Sequence, residues 1–114
     1  MSAKTQFLKG CTRTLVLKVL SERPMYGYEI ATILASRSDR VFELGQGTLY
    51  PLLYSLERKG LIRVSPSAGK KNNGRKRLYY KLTPKGSRVL QEDMSTWTSI
   101  QRGMKLVLGS PSYA

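Results

Sequence analysis

The chain contains no histidine, and its seven acidic residues are scattered along 114 positions. Histidine is the side chain best suited to moving protons near neutral pH, and it is a frequent zinc ligand. The only adjacent carboxylates, Glu92 and Asp93, would diverge on a helix instead of converging on one substrate. These absences argue against a metal site and against acid–base catalysis. We therefore predict that the chain is not an enzyme and that it uses no cofactor.

Cysteine and long hydrophobic runs are also scarce. The single cysteine, Cys11, cannot form a disulfide within the chain, and its apolar neighbours at helical spacing favour a buried structural thiol over a redox sensor. No apolar run approaches the roughly 20 residues that span a bilayer, and the N-terminus lacks a signal-type apolar core. We expect a cytosolic protein without a membrane segment.

Positive charge is what the chain has in excess. Its 20 Lys and Arg residues give a formal net charge of +13 at pH 7. From Arg58 to Gln91 there are eleven basic residues and no acidic one. Such a concentration of like charge weakens the compact state unless an anionic partner neutralises it. Double-stranded DNA is the favoured partner, ahead of an anionic membrane surface.

The spacing of apolar residues predicts the order of secondary structure. Helical periodicity covers residues 7–21, 26–36, 48–59 and 84–108, with Gly60 ending the third helix and Thr83-Pro84 starting the fourth. Residues 61–65 and 77–82 are expected to pair as an antiparallel hairpin. This order predicts a mainly α fold with a small β-hairpin wing. A winged helix-turn-helix domain would occupy residues 1–83, followed by a long C-terminal dimerisation helix over 84–108 and a tail over 109–114.

The third predicted helix has one apolar and one polar side. Its apolar side consists of Leu49, Leu52, Leu53 and Leu56. Hydroxyl, amide and guanidinium groups on the other side can donate to phosphates and base edges. We predict DNA contacts through Gln46, Thr48, Tyr50, Pro51, Tyr54, Ser55 and Arg58. An ordinary solvated helix face is the alternative, but most of these residues carry no charge for solubility and a basic hairpin follows directly.

That hairpin contains a cluster of cations around an Asn72-Asn73-Gly74 turn signal. The cations are Lys70, Lys71, Arg75, Lys76 and Arg77. Their long side chains could follow phosphates or straddle a minor groove, so we predict a DNA-binding wing. The segment also begins like a phosphate-binding loop. It lies between two strands, however, and continues as Arg75-Lys76, so nucleotide hydrolysis is rejected.

Several segments, taken in their order along the chain, resemble the PadR family of bacterial transcriptional regulators. They include Tyr26-Gly27-Tyr28-Glu29-Ile30, Gly47-Thr48-Leu49-Tyr50-Pro51-Leu52-Leu53 and Arg75-Lys76-Arg77-Leu78-Tyr79-Tyr80-Lys81-Leu82-Thr83-Pro84-Lys85-Gly86. The resemblance implies a dimeric winged-helix repressor of inverted-repeat operators, with recognition helix 47–58 and wing 70–77. It points to the short form of the family, without a second C-terminal domain.

The last predicted helix carries an apolar stripe too long for one small domain to cover. Its residues are Leu90, Met94, Trp97, Ile100, Met104 and Leu108. Over 25 residues the helix would extend roughly 37 Å, so we predict that the stripe packs against a second copy. In drug-responsive members of the resembled family, a tryptophan near this place stacks flat aromatic ligands. Trp97 is therefore either an interface anchor or part of an effector site.

Together these features favour a sequence-specific transcriptional regulator, a repressor that is released by a small aromatic effector. The main alternative is a small basic RNA-binding or ribosome-associated winged-helix protein. A third is a protein-interaction module that holds an acidic partner. All three would explain the positive charge, but only the first requires duplex specificity and a self-associating last helix.

Overall fold

The computed structural model describes residues 10–65 and 78–109, together with the backbone of residues 71–72 and 75–76. In this part of the chain the elements are α1 (Thr12–Leu20), β1 (Met25–Tyr26), α2 (Gly27–Arg37), α3 (Gln46–Arg58), β2 (Ile62–Val64), β3 (Lys71–Asn72), β4 (Arg75–Lys76), β5 (Tyr79–Leu82) and α4 (Pro84–Leu108). Residues 7–9 of the first predicted helix lie outside the described residues. The mainly helical fold with a small antiparallel sheet agrees with the predicted winged helix-turn-helix.

The sheet contains one strand that the sequence analysis did not identify. Strands β2 and β5 pair antiparallel, with Ile62 opposite Leu82 and Val64 opposite Tyr80, which confirms the predicted antiparallel pairing. On the other edge of β5, β1 pairs with Tyr79 and Tyr80. Residues 25–26 are too few to show an alternating pattern. The second helix consequently begins at Gly27 and not one residue earlier.

All four helices contribute to one hydrophobic core. Its members are Val16, Leu17, Val19, Leu20, Met25, Ile30, Leu34, Leu49, Leu53, Leu56, Leu61, Ile62, Tyr80 and Leu90. Leu90 was assigned to the dimer stripe, but it is 3% exposed and packs within its own protomer. The first turns of α4 belong to this core, which is why its stripe continues into it. Cys11, predicted to be buried, precedes α1 and is only partly enclosed.

The ends of α3 differ in how well the sequence predicted them. The helix begins at Gln46, two residues before the predicted start, with Gly45 in the N-cap position. Pro51 therefore lies in the second turn, and because proline has no N–H, the Gly47 carbonyl lacks its helical donor. At the other end Gly60 has φ +76°, as predicted. The Leu61 N–H donates to the Leu56 carbonyl at 3.0 Å, which closes a Schellman motif.

Helix α4 begins directly against the end of α3. The Thr83 hydroxyl accepts from the Gly86 N–H at 3.0 Å, so Thr83 is the N-cap that the sequence predicted. The same hydroxyl donates to the Gly60 carbonyl at 2.6 Å. The Lys85 ammonium donates to the Lys59 carbonyl at 3.0 Å. Two carbonyl groups at the end of α3 are thus satisfied by the first turn of α4, and this makes the two helices one unit.

A second contact joins α4 to α1 at Asp93. Arg13 donates to both carboxylate oxygens of Asp93, from Nε at 2.9 Å and from Nη2 at 2.6 Å. The Thr14 hydroxyl donates to the same carboxylate at 3.0 Å. The Arg13 hydrogen bonds hold the pKa of Asp93 below its usual value. Beyond this point every described α4 residue except Gly103 is exposed, so the helix leaves the domain here.

No helix in the described segments is both long and apolar enough to cross a bilayer.

Candidate nucleic-acid interface

Helix α3 turns one side into the core and the other to solvent. Leu49, Leu53 and Leu56 are at most 2% exposed. The opposite side presents exposed Gln46, Thr48, Pro51, Tyr54 and Arg58, with Ser55 partly buried at its edge. The structure therefore brings six of the seven predicted α3 contact residues onto an accessible face. We call this set the α3 face. Arg58, at the C-terminal end of the helix, is the only charged residue of the α3 face. The other residues offer hydrogen-bonding groups and aromatic surface.

Tyr50 is the predicted α3 contact residue that packs against a neighbouring helix. It is half-buried and packs against α2, where a Cβ at Gly27 would lie 2.7 Å from the Tyr50 hydroxyl oxygen. The ring also lies beside Tyr54, with centroids 6.3 Å apart and a tilt of 36°. Tyr50 therefore joins the two helices of the helix-turn-helix and supports Tyr54, which is 49% exposed. Helical periodicity placed Tyr50 on the flank and could not show which neighbour covers it.

Acidic and basic groups are segregated in the fold. In the described part of the chain the salt bridges are Arg13–Asp93, Arg23–Glu29, Arg37–Glu22 and Arg40–Glu43. All four arginines precede residue 58. Hydrogen bonds from Arg37 also lower the pKa of Glu22, which keeps that acid ionised beside its partner. Four of the seven acids are thus occupied with cations outside the basic stretch. Within the described residues, the cations from Arg58 onward form none of these salt bridges while the chain carries an overall excess of positive charge.

Two cations on the sheet were missed as individual candidates by the sequence analysis. Arg63 on β2 lies directly opposite Lys81 on β5. Both lie on the outer face, because their neighbours along the strands face the core. Within the described residues neither side chain is within salt-bridge distance of a carboxylate. Like charges directly opposite each other destabilise a sheet, so this pair is best explained by an anionic partner. Only the strand register reveals it.

The wing contains a second sheet, which is separate from the β1–β5–β2 sheet. Its backbone forms a two-stranded antiparallel ladder, with Lys71 opposite Lys76 and Asn72 opposite Arg75. Lys70 and Arg77 lie outside the described residues, as do the side chains of the three basic residues within β3 and β4. The ladder supports the prediction of a hairpin with basic residues on both of its strands.

The free half of α4 exposes a continuous apolar surface. Its residues and exposed fractions are Met94 40%, Trp97 52%, Ile100 53%, Met104 46% and Leu108 73%. We call these five residues the α4 stripe. Side chains of this size are normally covered when they are contiguous, so the surface is typical of an interface with another molecule.

Comparisons with known proteins agree with these observations. Residues 16–92 match the family model of the transcriptional regulator PadR-like family. The chain is 31% identical over 108 residues to a transcriptional regulator of Mycobacterium tuberculosis, covering 95% of this chain and 92% of that protein. A PadR-like transcriptional regulator from Bacillus cereus has a TM-score of 0.78 at 31% identity, with 93% of this chain and 99% of that chain covered. A PadR family transcription regulator from Clostridium difficile has a TM-score of 0.71 at 34% identity, with 85% and 97% covered.

Proposed function

The chain belongs to the PadR-like family of transcriptional regulators, and on this basis we propose that it is a repressor that binds an inverted-repeat operator as a homodimer. Membership of this family makes it a regulator and not an enzyme. The observation that carries the proposal is the α3 face together with Arg63 and Lys81 on the sheet, which form no salt bridge within the described residues.

The α3 face, the wing and the Arg63–Lys81 pair have different roles in the proposed DNA binding. The α3 face enters the major groove, where Tyr54, Ser55 and Arg58 contact base edges. The wing and the Arg63–Lys81 pair contact phosphates and release counterions, which supplies affinity without sequence preference. Because the positive end of the α3 dipole lies at Gln46, a phosphate is favoured there as well.

Homodimerisation follows from the α4 stripe and from the symmetry of an inverted repeat. A fully covered Leu, Met or Ile side chain contributes about 1.5 to 3 kcal/mol. Covering the exposed parts of five large apolar side chains on each of two copies therefore favours pairing, against the entropy lost on association. Two recognition helices can then occupy half-sites about 34 to 36 Å apart on one duplex.

An effector site is the third part of the proposal. Trp97 lies within the α4 stripe and leaves half of its surface uncovered in one protomer. A flat aromatic molecule that stacks on this ring would change how the two α4 helices pack. Since the helices connect the two DNA-binding domains, such a change would alter their separation and release the operator.

The test of the proposed function is a comparison of three nucleic acids. We expect the protein to bind a palindromic duplex, selected by it from a random pool, at least about a thousandfold more tightly than scrambled duplex or structured RNA. The measurement is fluorescence anisotropy at one fixed salt concentration, with the oligomeric state followed by sedimentation. Equal affinity for all three would contradict the repressor proposal, and tighter binding to RNA would favour the RNA-binding alternative.

Contacts to DNA phosphates and contacts to base edges should respond differently to substitution. Replacing Lys70 and Lys71 with glutamine is expected to weaken binding to every duplex and to reduce the log–log salt slope by about 1.8 for each protomer, or about 3.6 for the dimer, because each lost phosphate contact removes about 0.9. Changing Tyr54 to alanine should instead alter which duplexes are preferred. Titrations at several salt concentrations measure the first effect, and repeated selection measures the second.

The matched control removes two exposed cations elsewhere, through Arg102→Gln and Lys105→Gln on the far half of α4. This variant should retain the wild-type slope. An equal loss of slope in both double variants would mean that overall charge, and not the wing, governs binding.

A further inference from the structure

The direction in which α4 leaves the domain is set by one partly buried carboxylate. Asp93 accepts three hydrogen bonds from α1, two from Arg13 and one from Thr14. Its side chain is 15% exposed, compared with 44% for Arg13. We call these three residues the Asp93 cluster. It is the last point at which α4 is tied to the domain by side-chain hydrogen bonds among the described residues.

Two separate attachments define the axis of α4. The first is its initial turn, where Thr83 and Lys85 donate to carbonyl groups at the end of α3. The second is Asp93, about 12 Å further along the helix at 1.5 Å per residue. Without the second attachment, Leu90 in the core would be the last anchor, and an apolar contact sets direction less strictly than a hydrogen-bonded pair. With both attachments, the axis is fixed relative to the recognition helix.

Beyond the Asp93 cluster α4 extends away from the domain, so a small rotation at Asp93 produces a large displacement of its far end. Residues 94–108 extend about 22 Å from Asp93, so a pivot of about 10° would move the far end by about 4 Å. Within a twofold dimer the same pivot occurs in both protomers, and the separation of the two α3 faces changes accordingly. Base-edge hydrogen bonds do not tolerate displacements of this size.

We propose that Arg13, Thr14 and Asp93 are positioning residues that set which half-site spacing the dimer accepts. The inference rests on the proposed function, because spacing has meaning only for a dimer on an inverted repeat. None of the three residues is assigned to the DNA surface or to the α4 stripe. Their effect on DNA binding is transmitted through the orientation of α4.

The planar, charged contact between Arg13 and Asp93 is suited to fixing the orientation of α4. A bidentate guanidinium–carboxylate contact restrains two helices in rotation as well as in distance, whereas a single ammonium contact restrains distance only. The Thr14 hydroxyl occupies a further lone pair of the carboxylate and limits its rotation. Arg13→Lys therefore keeps the charge of the pair but removes its directional restraint.

The experiment uses the full chain and the palindromic duplex that it selects, together with duplexes in which two base pairs are added between the half-sites. This insertion rotates one half-site by about 70° around the duplex axis. The wild-type protein should bind the lengthened duplex at least about 30-fold more weakly. In Asp93→Asn that difference should shrink to about threefold, while affinity for a single half-site and the dimer dissociation constant stay within about twofold of wild type.

Matched variants separate positioning from general stabilisation. Glu22→Gln removes the other bidentate pair, between Arg37 and the end of α1, and should keep the wild-type spacing difference. Arg13→Lys should lose the wild-type spacing difference. It serves as the milder variant if Asp93→Asn fails to fold. A folded Asp93→Asn or Arg13→Lys with the full wild-type difference overturns this inference alone, as does an equal loss in Glu22→Gln. A wild-type protein that ignores spacing overturns both the inference and the proposed function.

Discussion

Replacing Gly86 with alanine is expected to lower the free energy of unfolding by about 3 kcal/mol, a large share of the stability of a small domain. A Cβ at this position would overlap the carbonyl oxygen of Leu61 and would lie 2.7 Å from the Leu82 Cδ1. The carbonyl cannot easily move, because it also accepts the Thr83 N–H at 3.1 Å. Relief of the overlap must therefore separate the start of α4 from the end of α3.

The measurement is urea denaturation followed by circular dichroism. The matched control is Gly103→Ala on the same helix, where the added Cβ meets nothing within 4 Å. That substitution should raise stability by about 0.5 to 1 kcal/mol through helix propensity. If both variants gained stability, the close approach of α4 to Leu61 would be disproved.

The second large effect is expected from a charge in the α4 stripe. Met104→Glu should weaken dimerisation by at least about 100-fold, since a carboxylate on each copy would be placed in an apolar interface beside its symmetry mate. Operator affinity should fall by a similar factor, because two linked DNA-binding domains bind with an avidity that a single domain lacks. Met104 is 46% exposed in the protomer, so the fold itself should be unaffected.

Sedimentation equilibrium and operator titration measure these two losses, and the thermal midpoint checks that the domain remains folded. Ser99→Glu is the control, because Ser99 is exposed on the side of α4 away from the stripe. It should remain dimeric and bind as wild type does. A Met104→Glu protein that is still dimeric at micromolar concentration would exclude the α4 stripe as the interface.

Local signals in the sequence were sufficient for most of the fold. Thr83-Pro84 predicted the start of α4 at the residue where it begins, and Gly60 predicted the end of α3. These signals are local because caps and left-handed turns depend on a few consecutive residues. The start of α3 was predicted two residues too late, because Gly45 precedes the helix and Gly47 lies within it, and without tertiary contacts neither glycine marks the boundary.

Residues that lie between two elements could not be assigned from periodicity. Leu90 fits the α4 stripe by spacing, yet the core of its own protomer covers it. Tyr50 fits the polar flank of α3, yet Gly27 allows α2 to cover it. A helical pattern shows that a side chain faces something apolar, but not whether that surface belongs to the same domain, a second copy or a ligand.

The sequence by itself determined the class of the protein: the helix and strand order, the excess of cations from residue 58 onward and the polar side of the third helix are all properties of neighbouring residues. Only the tertiary structure decided how α4 is attached to the domain. Gly86 against Leu61 and Asp93 against Arg13 join residues 25 and 80 positions apart. Such pairs depend on how elements pack, and packing distances are not encoded in the spacing of residues along one segment.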